Sequence, residues 1–134
     1  LRHANYFGNY DSIIAHMRKH AEILKPKFDC VIRLFEEELK DCGVLEWSNP
    51  KGGYFISVDT TYNCASEVVA MAKNCGVLFT AAGSTFPYGK DPENKNIRIA
   101  PSLPPVEELE AAIRVFCVCV KICSIEKILE NKNK

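Results

Sequence analysis

Apolar residues recur at Ile13, Met17, Leu24, Phe28, Val31, Ile32, Phe35 and Leu39, the spacing of one face of a long amphipathic helix. Such a face has to be covered by a second layer, and no other run in the chain constrains the fold as strongly. Asp11 or Ser12 is placed to cap this helix so that it begins at Ile13. Pro26 removes a backbone donor inside it and predicts a kink near Leu24 or Lys25. Gly43 ends it in a left-handed conformation. Residues 1–10, where Gly8 breaks up Tyr6, Phe7 and Tyr10, read as a poor independent element.

The segments after Gly43 supply the covering layer. Val44–Trp47 and Gly53–Asp59 read as strands, and the turn residues Ser48–Gly52 between them predict an antiparallel hairpin. Asn63 is expected to cap a short helix, Cys64–Cys75, that Gly76 closes. Val77–Thr80 reads as a further buried strand. Ala81–Lys95, with Gly83, Pro87, Gly89 and Pro92, forms an irregular loop of a length that in compact domains is usually functional or disordered. Asn96–Ile99 is the last strand. Pro105, with Glu107 and Glu108 in the first turn, starts a final helix that buries Val106, Leu109, Ile113, Phe116 and Val120, and the tail 131–134 should fray. This order predicts an α+β fold, a small mixed or antiparallel sheet of about four strands with helices mainly on one face, over residues 11–130.

Composition narrows the function classes. The 134 residues suit one domain, and 17 basic against 17 acidic side chains leave no surplus to hold a nucleic-acid backbone or an anionic membrane. The uncharged apolar run Val115–Val120 is far short of the roughly 20 residues a membrane span needs. Of the seven cysteines, Cys30, Cys42, Cys75, Cys117, Cys119 and Cys123 lie in apolar helical patterns, where a thiol packs as a small hydrophobe. The odd count and the lack of a signal peptide suggest reduced thiols and a cytoplasmic protein. The chain opens in mid-pattern at Leu1 rather than at methionine, as expected of a piece of a longer protein.

Few side chains carry a chemical signal. His16 and His20 are four apart on a helix, but Arg18, Lys19 and Lys25 surround them and no third ligand is evident, so a solvated face is the better reading than a metal site. Cys117 and Cys119 point to nearly opposite sides of a helix, which favours core packing. Ser57, Ser66, Ser84 and Ser102 have no neighbouring base in sequence, and neither Gly52-Gly53 nor Gly83 has the context of a phosphate-binding loop. Arg98 stands out. Ile97 and Ile99 flank it at strand spacing, so it points away from the face they bury. A planar guanidinium on a stiff strand can grip a carboxylate with two parallel hydrogen bonds. The strand alone leaves open whether that carboxylate belongs to a ligand or to an Asp or Glu of the same domain.

Three segments, in order, carry a resemblance. Pro50-Lys51-Gly52-Gly53-Tyr54-Phe55-Ile56, then Gly76–Thr80 with Ala82-Gly83-Ser84-Thr85-Phe86, then Asn96-Ile97-Arg98-Ile99 together resemble the C-terminal small domain of class I aminotransferases of pyridoxal-phosphate fold type I. The run Thr85–Pro92 is similar to the aspartate-aminotransferase-like group, and Ala81-Ala82 replaces the proline usual before the glycine. The resemblance covers about Asp11 to Ile125. It implies an enzyme that exchanges an amino group between an α-amino acid and an α-keto acid. Arg98 would bind the substrate α-carboxylate, with Gly53, Tyr54 and Phe86 around the site. It further implies pyridoxal 5'-phosphate held by an upstream large domain that carries the cofactor lysine, and a second subunit forming a homodimer. None of the twelve lysines here sits in a context similar to that lysine segment, so no cofactor-binding residue is expected in this chain and the chain alone is expected to be inactive. A lyase or synthase with the same domain, or a non-catalytic binding module, are the alternatives.

Overall fold

The structure, a computed structural model, describes residues 2–133. The long helical periodicity becomes α2 (Tyr10–Leu39), which runs through Pro26 as one helix and passes into a 3-10 turn, Lys40–Cys42, before Gly43 stops it at φ 61°. It begins three residues earlier than expected because Asn9, not Asp11 or Ser12, is the cap: its side-chain oxygen accepts from the Ser12 backbone N–H at 2.9 Å. Residues Arg2–Phe7 form a short helix, α1, in place of the expected irregular segment. Its ring Phe7 packs edge-on against His16 of α2, with centroids 5.1 Å apart, which gives so short a helix tertiary support.

Three strands come after α2: β1 (Leu45–Trp47), β2 (Ile56–Thr60) and β3 (Asn96–Ile99), in that spatial order and antiparallel throughout. Helix α3 (Ala65–Asn74) lies between β2 and β3 in sequence, and α4 (Val106–Lys132) ends the fold, still helical at Asn131 and Lys132 where fraying was expected. The fold is therefore α+β, with three strands rather than about four. Val77–Thr80 is the missing strand. Its chain leaves α3 through a Val77 N–H bond to the Ala72 carbonyl, and Phe79 turns in to pack on Phe116 at 5.0 Å, so Val77 and Phe79 are half-buried by side-chain packing without ladder pairing while Leu78 is exposed.

The core forms on one face of the sheet. Ile56 and Val58 of β2 and Ile97 and Ile99 of β3 meet Val31, Leu34, Phe35 and Leu39 of α2, Val68 and Ala72 of α3, and Ile113, Phe116 and Val120 of α4. Burial of such side chains contributes about 1.5–3 kcal/mol each. The first half of α2 stays outside this core: Ile13 and Met17 are exposed, contrary to the continuous buried face expected from spacing. Two cysteines also depart from expectation. Cys42 and Cys75 are exposed, whereas Cys30, Cys64, Cys117, Cys119 and Cys123 are buried. Burial pushes the Cys117 thiol up to about 12, a consequence of removing its thiolate from water.

The cap of α3 is non-local. Asn63 sits at φ 55° and does not cap; instead the Asn94 side-chain oxygen accepts from the Ser66 N–H at 3.0 Å and the Asn94 carbonyl from the Ala65 N–H at 2.8 Å. Thr60 Oγ1 adds a bond from the Cys64 N–H at 3.1 Å. The long loop is thus fastened to the helix start.

Candidate functional site

The outer face of the sheet is set by the same alternation that builds the core. Ser57 and Asp59 of β2 point opposite to Ile56 and Val58, and the register pairs Ser57 with Arg98 and Asp59 with Asn96. Ile97 and Ile99 are buried on either side of Arg98, as their spacing predicts, leaving the guanidinium on this outer face. Phe55, two residues before Ser57, lays its ring over that guanidinium, with Cζ 4.2 Å from the ring centroid.

The Arg98 side chain has no hydrogen bond or ion pair to any described residue. Its Nε is sealed from solvent without an acceptor, and among the described residues it is the one guanidinium nitrogen so sealed. The nearest acid in register, Asp59, is already engaged: Oδ1 accepts from Asn96 Nδ2 at 2.6 Å. Arg33 and Arg114, by contrast, pair with Glu37, Glu38 and Glu110 on α2 and α4. A carboxylate for Arg98 is therefore not found among the described residues.

Asn96 fixes this face to the loop. Besides Asp59, its Nδ2 donates to Ser57 Oγ at 2.9 Å, and its Oδ1 accepts from Thr85 Oγ1 at 2.6 Å. Asp91 closes the loop's other end, with Oδ2 accepting from the Lys95 and Asn96 N–H groups at 2.8 Å and Oδ1 from the Glu93 N–H at 3.0 Å. Desolvation pushes the Asp91 carboxyl up, but these three donors outweigh it and hold the pKa below the ordinary aspartate value. Gly83 lets the two ends meet. At φ +77° it lies so close to the returning chain that a Cβ would stand 2.7 Å from the Gly89 carbonyl oxygen.

The other residues singled out by sequence fall around this face or well away from it. Gly53 has φ 89°, with open space where a Cβ would be, and Tyr54 is exposed; the two directly precede Phe55 in sequence. Phe86 is half-buried on the loop, its N–H donating to the Gly83 carbonyl at 2.9 Å, and joins the Arg98 strand through the neighbouring Thr85–Asn96 bond. His16 and His20 stand with ring centroids 4.4 Å apart beside Phe7, and no cluster of three metal-ligating side chains occurs among the described residues. An open cleft of about 390 Å³ lies between the loop and the start of α3, lined by Gly83, Lys90, Asp91 and Asn94 among others; Arg98 does not line it. Phe55, Thr85, Asp91 and Asn96 were not anticipated as site residues. Period-two counting from Ile56 places Phe55 on the outer face, but only the strand register brings it to Arg98.

The aspartate amino-transferase family profile matches residues 1–132. An aspartate aminotransferase of Corynebacterium glutamicum is 49% identical over 126 residues, 94% of this chain and 29% of that protein. A provisionally named aminotransferase of Mycolicibacterium smegmatis is 42% identical over 132 residues, 98% of this chain and 31% of that protein. The solved structure of an aspartate transaminase from Corynebacterium glutamicum superposes with a TM-score of 0.89 at 49% identity, covering 92% of this chain and 29% of that one. LysN, the α-aminoadipate aminotransferase of Thermus thermophilus, solved with N-(5'-phosphopyridoxyl)-L-leucine, shares the fold at a TM-score of 0.65 and 16% identity, over 76% of this chain and 25% of that one. The chain thus spans less than a third of the length of these relatives. No described helix is long and apolar enough to cross a membrane. The chain belongs to the aspartate aminotransferase family, as its C-terminal small domain.

Proposed function

We propose that the protein containing this chain is a cytoplasmic, pyridoxal-phosphate-dependent aminotransferase that moves an amino group between an α-amino acid and an α-keto acid, and that Arg98 holds the α-carboxylate of both. One observation carries this reading: a half-buried arginine, fixed on a strand, whose terminal nitrogens stay reachable while the acid near it in register is engaged elsewhere. Those two nitrogens form a planar fork that a carboxylate matches with parallel hydrogen bonds, and a substrate held so has its α-carbon oriented for reaction. The open backbone at Gly53 and the exposed ring of Tyr54 border the approach, and Phe86 stands on the adjoining loop.

When bound, pyridoxal phosphate supplies the electron sink for chemistry at that α-carbon. We place its seat outside the described residues. Lys25, Lys40, Lys95, Lys121 and Lys127 are paired with acids at the surface, and the face beside Arg98 offers Asp59 and Asn96 where a phosphate would need cations. We assign the cofactor to a large domain preceding residue 11, joined through residues 1–10, and the active assembly to a homodimer of the full-length protein. The exposed side chains of Tyr6, Tyr10, Ile13 and Met17 are the surface this domain offers to that neighbour.

The test is Arg98→Ala in the full-length protein. Bound-cofactor absorbance should be retained, while KM for the amino acid rises about 10- to 100-fold, the loss expected for a charge-assisted pair of about 1.5–3 kcal/mol. Unchanged transamination kinetics would refute the assignment.

A further inference from the structure

Phe55 does not belong to the core. It is 44% exposed, lies outside the cluster that joins the helices to the sheet, and sits on the sheet's opposite face. Its ring is in contact with Arg98, whose Cζ stands 4.2 Å from the centroid. The geometry matters because Arg98 lacks the restraints that hold Arg33 and Arg114. Arg114 is held by Glu38 and Glu110, and Arg33 by Glu37 and Glu110. At Arg98 no described acid fixes the plane, and the Nε that could anchor it has no acceptor.

A guanidinium without such anchors rotates about its last side-chain bonds, and a two-pronged grip on a carboxylate requires those rotations to be frozen. A ring face lying along the cation restricts them, because stacking is favourable only over the ring's negative face. Contact with the ring also keeps water from that side of the cation, while the terminal nitrogens stay reachable. We infer that Phe55 is a positioning residue, which sets the plane of the Arg98 guanidinium for the incoming carboxylate. This rests on the reading of Arg98 as the acid grip. Phe55 itself need not touch the reacting atoms.

The prediction distinguishes a ring face from mere apolar bulk. In the full-length holoenzyme, with cofactor absorbance and melting temperature recorded for each variant, Phe55→Leu should raise KM for the amino acid about two- to fivefold, the range for an exposed cation–π contact. Its kcat should stay within about twofold, since the ring acts on binding and orientation of the carboxylate rather than on bond-making. Phe55→Tyr keeps the ring face and should restore KM to within the error of the unmodified enzyme. The decisive arm is the double variant. If Phe55 acts through Arg98, adding Phe55→Leu to Arg98→Ala should raise KM no further.

Additive effects in the double variant, an unchanged KM in Phe55→Leu, or a Phe55→Tyr as impaired as Phe55→Leu would each overturn the inference. Failure of the underlying reading looks different. If Arg98→Ala itself leaves KM unaltered, the acid grip falls and Phe55 with it. If Arg98→Ala raises KM while Phe55→Leu does not, only the positioning role falls.

Discussion

Replacing Arg98 with methionine separates an arginine kept for a ligand from one kept for the fold. Methionine retains an unbranched apolar stem of comparable reach between Ile97 and Ile99, so packing along the strand is largely preserved. What disappears is a guanidinium with a sealed Nε that has no acceptor, and a stacking contact on Phe55. The unmet donor costs about 1–3 kcal/mol, and the stacking contributes about 0.5–1 kcal/mol at an exposed site. Arg98→Met should therefore leave the folded chain as stable as before, or more stable by up to about 2 kcal/mol. Urea unfolding of this chain at pH 7, followed by circular dichroism, measures the difference from the midpoint at constant slope. In a thermal scan each kcal/mol corresponds to about 3–6 °C for a domain of this size. A loss above about 1 kcal/mol, the upper end for an exposed ion pair, would mean that Arg98 has a structural partner and that this reasoning is wrong. Stability gained together with lost carboxylate binding is the signature of a functional site.

Two further predictions concern the frame around Arg98. Gly83→Ala combines a left-handed backbone with a Cβ 2.7 Å from the Gly89 carbonyl oxygen, and should cost about 2–4 kcal/mol, strain and overpacking together; Gly52→Ala, with nothing within 4 Å and no positive φ, should be neutral or slightly stabilising. Equal midpoints for the two variants would contradict the close approach seen at Gly83. Glu67 supplies the pH dependence. Desolvation raises its pKa, yet the Lys127 ammonium, the Asn94 amide and the Ser66 hydroxyl outweigh that and bring it down to about 2. Because the folded value lies below the unfolded one of about 4.3, the stabilisation is complete above pH 4.3 and fades as pH falls toward 2. The side chain is 40% exposed, so solvent screening keeps the effect under about 1 kcal/mol. Glu67→Gln should show a smaller drop in urea midpoint between pH 7 and pH 2.5 than the unmodified chain, and identical drops would rule the linkage out.

What could be read from the sequence is what is local. The helix that ends at Gly43, the turn at Gly76, the hairpin of β1 and β2 and the outward direction of Arg98 each depend on residues within a few positions of one another. The misreadings share the opposite property. Val77–Thr80 has strand composition, but whether an apolar run pairs depends on finding a free edge, and here Phe79 is claimed by Phe116 of α4. The cap of α3 comes from Asn94, 28 residues from the Ser66 N–H it accepts, so the adjacent Asn63 was the natural and mistaken choice. The first half of α2 has the periodicity of a buried face, and periodicity reports that a face needs covering without saying what covers it.

The site divides in the same way, and this decides how Arg98 is to be understood. Its strand, its direction and the tight turn at Gly83 are local facts. That it lacks an acid is not local: the acid in the neighbouring register position, Asp59, bonds through Oδ1 to the Asn96 amide, which also ties down Thr85 and Ser57. Asn96 thus does two things with one side chain, fixing the loop to the sheet and donating to Oδ1 of Asp59. An Asn96→Asp change would turn the second role around, placing two acids side by side on the Arg98 face. The surroundings of Arg98 are in this sense built by the sheet, whose register sets Asp59 opposite Asn96, two residues from Arg98 in sequence, and joins the two side chains.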